Sequence, residues 1–207
     1  GSSISLFLDR NVAKDGISTG AFQSVGSIAI IIFGFVIAVF YSKKKTNNLK
    51  SNSALEGFGK IIIGLSILTF GYMLMALSAF FATKSGLSSL WLPVIAMSFI
   101  GVAELWIDPV VLSNIGRFSP KNMNNSCVAV YYLFVGALAN FISGKVSVYS
   151  AVPKSFINGK NLLSTANIYY QLFSQIVCIS FGVIIFLFLL YIIISKYKKS
   201  VVFSPNK

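Results

Sequence analysis

Five long apolar stretches constrain this sequence more than any other feature. They cover approximately residues 22–41, 58–82, 88–115, 127–148 and 168–195. Each is long enough to cross a bilayer as a helix, which takes about 20 residues. Hydrophobic residues make up 56% of the chain and charged residues 11%, against roughly 45–50% and 25% in soluble domains. The sequence therefore predicts an all-α integral membrane protein with about five transmembrane helices.

The distribution of basic residues predicts how these spans are oriented. When the spans are threaded alternately through a membrane, eleven of the seventeen Lys and Arg residues collect on one side and six on the other. Positive residues are retained on the cytoplasmic side during insertion. We therefore expect a multi-pass protein of the cell (inner) membrane, with its N-terminus outside and its C-terminus in the cytoplasm. The basic clusters lie at span ends without interleaved aromatic residues, which favours the lipid bilayer as partner and disfavours nucleic acid.

The first ten residues predict the end of a further helix. The apolar run Leu6–Leu8 is followed directly by Asp9–Asn11, as in a helix that leaves the membrane. We therefore expect a helix stub at residues 1–10, with the rest of its span upstream. The Gly-Ser-Ser start also fits a tag remnant.

Two of the five acidic residues, Glu104 and Asp108, lie inside the third apolar stretch. Their spacing of four places them on one helical face, one turn apart. A charge at the membrane centre costs about 2.5–3.5 kcal/mol on insertion scales, so such residues usually face a cavity or a partner. A pair of this kind exchanges a proton or binds an ammonium group. The alternative is a helix-packing role at the end of the span, and Pro109 should loosen the helix beside the pair.

The sequence contains few residues of the types that usually carry catalysis. The chain contains no His, which excludes His-dependent triads and metal sites built on His. The scarcity of carboxylates leaves no other visible catalytic set. We therefore do not expect an enzyme, and we expect neither a metal ion nor an organic cofactor.

The fourth stretch carries a stripe of small and polar residues. Gly136, Asn140 and Gly144 recur every four residues, a spacing that predicts close packing against another helix. Tyr131 and Tyr132 precede this stripe, and one of the two should face inward. That ring either lines a cavity or fills the core.

Read in order, several segments resemble the proton-dependent oligopeptide transporter family of the major facilitator superfamily. Residues 104–113, ELWIDPVVLS, with FSP at 118–120, resemble the tenth-helix pattern E-L-x-x-S-P-x-G-L-S and its terminal L-A-P. Residues 1–11 are similar to the end of the seventh helix, and residues 22–24 to the start of the eighth. Residues 138–144, LANFISG, resemble the eleventh-helix pattern L-G-N-x-x-x-G.

This resemblance implies both a fold and a function. The implied fold is the C-terminal half of a major facilitator superfamily transporter, with residues 1–207 forming a partial six-helix bundle from the end of helix seven to helix twelve. The function is symport of di- and tripeptides with protons as the coupling ion. The resemblance assigns Glu104 to substrate binding near the peptide amino group. It places Asp108 where the family has a binding-site serine, and Tyr132 where a tryptophan usually lines the pocket.

The family's substrate cavity lies between two six-helix halves. On this interpretation the chain is a C-terminal fragment that supplies one wall, and it needs an N-terminal half that is missing here. Gly26 and Ser27 replace a family Asn-Pro pair, and Asp108 adds a negative charge. These departures favour either a more cationic substrate or weakened binding. Two alternatives stay open. The chain is a non-transporting membrane remnant or interaction protein, or it belongs to a transporter of another small solute such as nitrate or amino acids.

Overall fold

In a computed structural model the described residues of the chain form six helices. The structure describes residues 2–13, 16, 18–44, 54–120, 122–149 and 162–202. The helices are α1 (Ser2–Asn11), α2 (Thr19–Lys44), α3 (Ala54–Ser85), α4 (Trp91–Phe118), α5 (Asn124–Tyr149) and α6 (Leu162–Val202). Each of the five helices from α2 to α6 contains a stretch long and apolar enough to cross a membrane. The predicted all-α membrane fold is confirmed.

The helices differ from the predicted spans mainly at their ends. Four of the five predicted spans fall inside α2, α3, α5 and α6, which all continue into flanking polar residues. The third predicted span begins too early, because Ser88 lies in the turn before α4. Hydropathy locates the part of a helix that sits in lipid, whereas the helix itself continues for as long as its backbone hydrogen bonds do.

Large apolar side chains cover much of the outside of this bundle. Phe35, Leu133 and Ile179 are all about 70% exposed, at 72%, 74% and 68%. In water this arrangement would be unstable, whereas in lipid it carries no penalty. Exposed apolar surface on α2, α5 and α6 is therefore what a membrane location requires.

The centre of the bundle is the pair α3 and α4. These two helices pack together, α6 packs on α3, and α2 packs on α4. Glycines make the closest approaches. A Cβ atom built on Gly71 of α3 would lie 2.9 Å from the Ile100 side chain, and one on Gly101 of α4 would lie 2.6 Å from the Gly26 carbonyl oxygen of α2. The helices therefore meet backbone to backbone, as small residues permit in membranes.

The short helix α1 docks onto the start of α6. Phe7 is completely buried, and its ring makes edge-to-face contacts with Tyr169 at 5.6 Å and with Phe173 at 5.5 Å between centroids. Asp9 is exposed, as expected for a helix that leaves the membrane, but Asn11 is completely buried. Asn11 is buried because polar groups from distant segments surround its side chain.

Helix α5 lies at the edge of the bundle. It contacts α4 near its start, where Gly116 faces Asn124, and Val146 near its other end packs against the core. A Cβ atom added at Gly136 or Gly144 would meet nothing within 4 Å. Within the described part of the chain, the stripe predicted to pack against another helix therefore has no helix against it.

Candidate functional site

The structure places Glu104 and Asp108 together on α4. The helix continues from Trp91 to Phe118 with Pro109 inside it, so the two carboxylates lie one turn apart on the same face. Both residues are exposed. The neighbouring faces of α4 are occupied, since Gly101 meets α2 and Ile107 meets α3. The carboxylates therefore occupy a face of α4 that the rest of the described chain leaves open.

The electrostatic surroundings of this pair are negative. The charge of Asp108 acts on Glu104, and the charge of Glu104 acts on the Tyr72 hydroxyl of α3. Among the described residues, no Lys or Arg contributes to the surroundings of Glu104. Two carboxylates one turn apart within a membrane span need water, a proton or a positive group. The arrangement is suited to receiving an ammonium group or a proton.

Tyr132, the third predicted site residue, lies on α5 rather than α4. Its side chain is 52% exposed. Its ring makes an edge-to-face contact with Tyr131, with 5.5 Å between the ring centroids and 65° between the ring planes. Tyr131 is half-buried. Of the two tyrosines, Tyr131 is therefore the one that faces the bundle, as the sequence predicts for one of the pair. The Tyr132 ring lies on the exposed side of α5.

The residues that could hold a metal ion are few. Within the described ranges, no three His, Cys, Asp or Glu side chains come together as a ligand set. Glu104 and Asp108 supply two carboxylates but no third ligand. The chemistry of this face is therefore that of two carboxylates.

Sequence reasoning missed a second polar cluster, at the end of the bundle where α1 ends and α6 begins. Its centre is the Asn11 side chain, whose amide nitrogen donates to the carbonyl oxygens of Leu162 at 2.9 Å and Gly86 at 3.3 Å. Thr165 donates its hydroxyl to the Asn11 amide oxygen at 3.1 Å. The only sequence signal is an Asn beside an apolar run, which reads equally well as the end of a membrane helix. We call Asn11, Ser78, Ser88 and Thr165 the polar junction.

Comparison with known proteins shows which family and which relatives this sequence matches. Residues 1–163 match the model of one protein family, PTR2, the POT family. The chain is similar to dipeptide and tripeptide permease B of Salmonella typhimurium, with 23% identity over 186 residues, 88% of this chain and 36% of the relative. It is also similar to the permease of the same name from Photorhabdus luminescens, with 26% identity over 180 residues, 84% of this chain and 35% of the relative. These relatives are transporters, in agreement with the expectation that the chain is not an enzyme.

Solved structures show the same fold. The chain superimposes on a crystal structure of tetrameric PepTSo2 with a TM-score of 0.69 and 20% identity, covering 94% of this chain and 38% of that one. A structure from work on substrate recognition in proton dependent oligopeptide transporters gives a TM-score of 0.70 at 20% identity, with 94% and 38% covered. The predicted transporter fold is confirmed.

The chain is much shorter than the relatives that it matches. The chain spans only 36% and 35% of the length of the two permeases named above, so the activity of a whole permease does not transfer to it by similarity alone. The family match is independent of that limit, because it covers 163 of the 207 residues. The chain therefore belongs to the POT family of multi-pass membrane transporters.

Proposed function

We propose that the protein takes up short peptides together with protons and that this chain forms one wall of the solute pathway. Transport then requires a second helix bundle, since alternating access needs two bundles that rock around a central site. The family match and the relatives named as dipeptide and tripeptide permeases support the proposal. Eleven of the seventeen Lys and Arg residues fall on one side when the spans are threaded alternately. This excess supports an N-terminus outside the cell and a C-terminus in the cytoplasm.

The single observation that carries this proposal is the open, negatively charged face of α4. Glu104 and Asp108 are exposed there, and no cation among the described residues acts on Glu104. Each charge in a purely lipid setting would cost about 2.5–3.5 kcal/mol or more. A water-filled pathway removes most of this cost. In our proposal Glu104 binds the amino group of the peptide when no proton occupies the carboxylate.

Asp108 gives the proposed site a second negative charge. A peptide that carries a basic side chain offers two positive groups, one for each carboxylate. At about 5 Å and an effective dielectric constant between 20 and 80, one added charge pair is worth about 1–3 kcal/mol. This corresponds to about 5- to 150-fold in affinity. The proposed substrate class is therefore di- and tripeptides with a Lys or Arg side chain.

Tyr132 supplies an aromatic surface to the same pathway in this proposal. Its ring is exposed on α5 and held in place by the edge-to-face contact with Tyr131. Aromatic faces attract cationic groups within about 6 Å. The ring is thus suited to a substrate with a basic side chain, although a neutral peptide would also pack against it.

Uptake assays in cells that express the natural protein test this proposal. Competition between labelled Ala-Ala and unlabelled Ala-Lys gives the charge preference. We expect Glu104→Gln to abolish uptake of both peptides. We expect Asp108→Ser to retain uptake but to reduce the preference for Ala-Lys at least fivefold, the lower bound of the electrostatic gain.

Asp9→Asn is the matched control, because it removes an exposed carboxylate on α1 rather than α4. It should leave both uptake and preference unchanged. Uptake of both peptides by Glu104→Gln at the natural rate would contradict the role of Glu104. An unchanged preference in Asp108→Ser would contradict the substrate class. No peptide uptake by the natural protein, when it is correctly inserted, would favour a non-transporting protein.

A further inference from the structure

The polar junction connects three segments that are far apart in the sequence. Asn11 ends α1, Gly86 and Ser88 lie in the turn between α3 and α4, and Leu162 and Thr165 begin α6. The Asn11 amide nitrogen donates to Gly86 and to Leu162, and its amide oxygen accepts from Thr165. One side chain therefore hydrogen-bonds to both of the other segments at once.

Backbone and serine hydrogen bonds strengthen the same connection. The Ser88 amide donates to the Asn11 carbonyl oxygen at 2.7 Å, and the Ala13 amide donates to the Ser88 carbonyl oxygen at 3.0 Å. The hydroxyl oxygens of Ser78 and Ser88 are 2.7 Å apart. The turn between α3 and α4 is thus joined to α1 through main chain and to α3 through a side-chain pair.

Burial makes these hydrogen bonds depend on one another. Asn11 and Ser78 are 0% exposed, Ser88 is 1% exposed and Thr165 is 4% exposed. Water cannot replace a lost partner at this depth, so a broken bond leaves a buried polar group unsatisfied. Both amide hydrogens of Asn11 and its oxygen are in use. If one segment moves away, the Asn11 side chain loses a partner and its hold on the other segment weakens.

We propose that the polar junction makes the end of α1, the α3–α4 turn and the start of α6 into one cooperative unit that opens and closes as a whole. The alternative is three local contacts that open independently. The two cases differ in whether the loss of a hydrogen bond in one segment also increases opening of another segment. Since α4 begins at Trp91, three residues after Ser88, the unit also fixes one end of the helix that carries the two carboxylates.

Hydrogen–deuterium exchange of the natural protein in lipid nanodiscs tests this cooperativity. The informative variant is Thr165→Val. The Thr165 hydroxyl oxygen lies 3.1 Å from the Asn11 amide oxygen and 2.9 Å from the Leu162 carbonyl oxygen, so these two acceptors share its one proton, and it makes no hydrogen bond to Ser88. A cooperative unit predicts faster exchange of the Ser88 and Ala13 amides. The expected rise is about fivefold, the change in open population that follows the loss of one net hydrogen bond.

Thr69→Val is the matched control. Thr69 is also buried, at 3% exposure, but its hydroxyl bonds within its own helix, to the Leu65 carbonyl oxygen at 2.8 Å. The same chemical change there should leave exchange at Ser88 and Ala13 as it is in the natural protein. Thr165→Ser keeps the hydroxyl and should restore the slow exchange.

The proposal is overturned if Thr165→Val raises exchange only within α6. Ser78→Ala gives the reverse test and replaces Thr165→Val should that variant not fold. It removes the partner of Ser88, and cooperativity predicts faster exchange in the first turns of α6. Unchanged exchange there would also overturn the proposal. Because no peptide is present, these results do not depend on whether the protein transports peptides.

Discussion

Gly101 offers the sharpest test of how the bundle is assembled. A Cβ atom at this position would lie 2.6 Å from the Gly26 carbonyl oxygen and 3.2 Å from the Gly26 Cα atom. Ordinary contacts begin at 3.4 Å, so Gly101→Ala has to push α2 and α4 apart by about 0.8 Å. Both groups in this contact are backbone, and neither can rotate away. Overpacking of this kind costs about 1–3 kcal/mol.

The helix preference of Ala opposes part of this cost. In helix interiors Ala is favoured over Gly by about 1 kcal/mol. Gly26→Ala is therefore the matched control, because it gains the same preference while its Cβ atom meets only the Met97 carbonyl oxygen at 3.6 Å. The preference cancels in the comparison. We expect Gly101→Ala to be less stable than Gly26→Ala by about 1–3 kcal/mol.

The measurement is unfolding of the natural protein by a strong detergent, starting from mild micelles and followed by far-ultraviolet circular dichroism. Gly136→Ala on α5 is a second reference, since nothing lies within 4 Å of its added Cβ atom. Its stability reports the helix preference alone. If Gly101→Ala is as stable as Gly26→Ala, α2 and α4 do not cross at these glycines, and the packing described above is wrong.

Two further predictions concern the end of the bundle near α1. Phe7→Leu should lower the free energy of unfolding by about 1–3 kcal/mol in the same assay, because it removes two edge-to-face ring pairs of about 0.5–1.5 kcal/mol each; an unchanged value would mean that α1 is not docked on α6. Gly86→Ala should cost about 1–2 kcal/mol, because Gly86 has a φ of +81°, whereas an added Cβ atom 3.4 Å from Leu162 would be in ordinary contact. Gly16→Ala, at a φ of +87° in open space, should lose about as much stability. A much larger loss at Gly86 would mean that Leu162 crowds the added Cβ atom.

The spans could be predicted from the sequence because transfer into lipid is a local property. Each apolar stretch partitions into the bilayer on its own composition, whichever helix lies beside it. The pairing of helices is not local. It depends on which small residues face each other, and with sixteen glycines in the chain no pattern singles out Gly26 and Gly101. The crossing of α2 and α4 therefore had to come from the structure.

The polar residues likewise include some that could be predicted from the sequence and some that could not. The placement of Glu104 and Asp108 on one face follows from a spacing of four within a single helix. The polar junction could not be predicted, because Asn11 and Thr165 are 154 residues apart and Asn11 and Gly86 are 75 apart. An Asn after an apolar run has the same sequence pattern whether it enters water or meets buried partners. Only the fold decides between these outcomes.

The polar junction and the carboxylate pair on α4 differ in whether their polar groups have partners within the described chain. At the polar junction every side-chain donor and acceptor of Asn11 has a partner within the chain, so the cluster is stable without any other molecule. On α4, by contrast, Glu104 has Asp108 as its charged neighbour and no cation among the described residues. Its compensation has to come from water, a proton, a solute or another bundle. We therefore expect solutes and protons to act on the open face of α4, and the polar junction to respond to substitutions that break its hydrogen bonds.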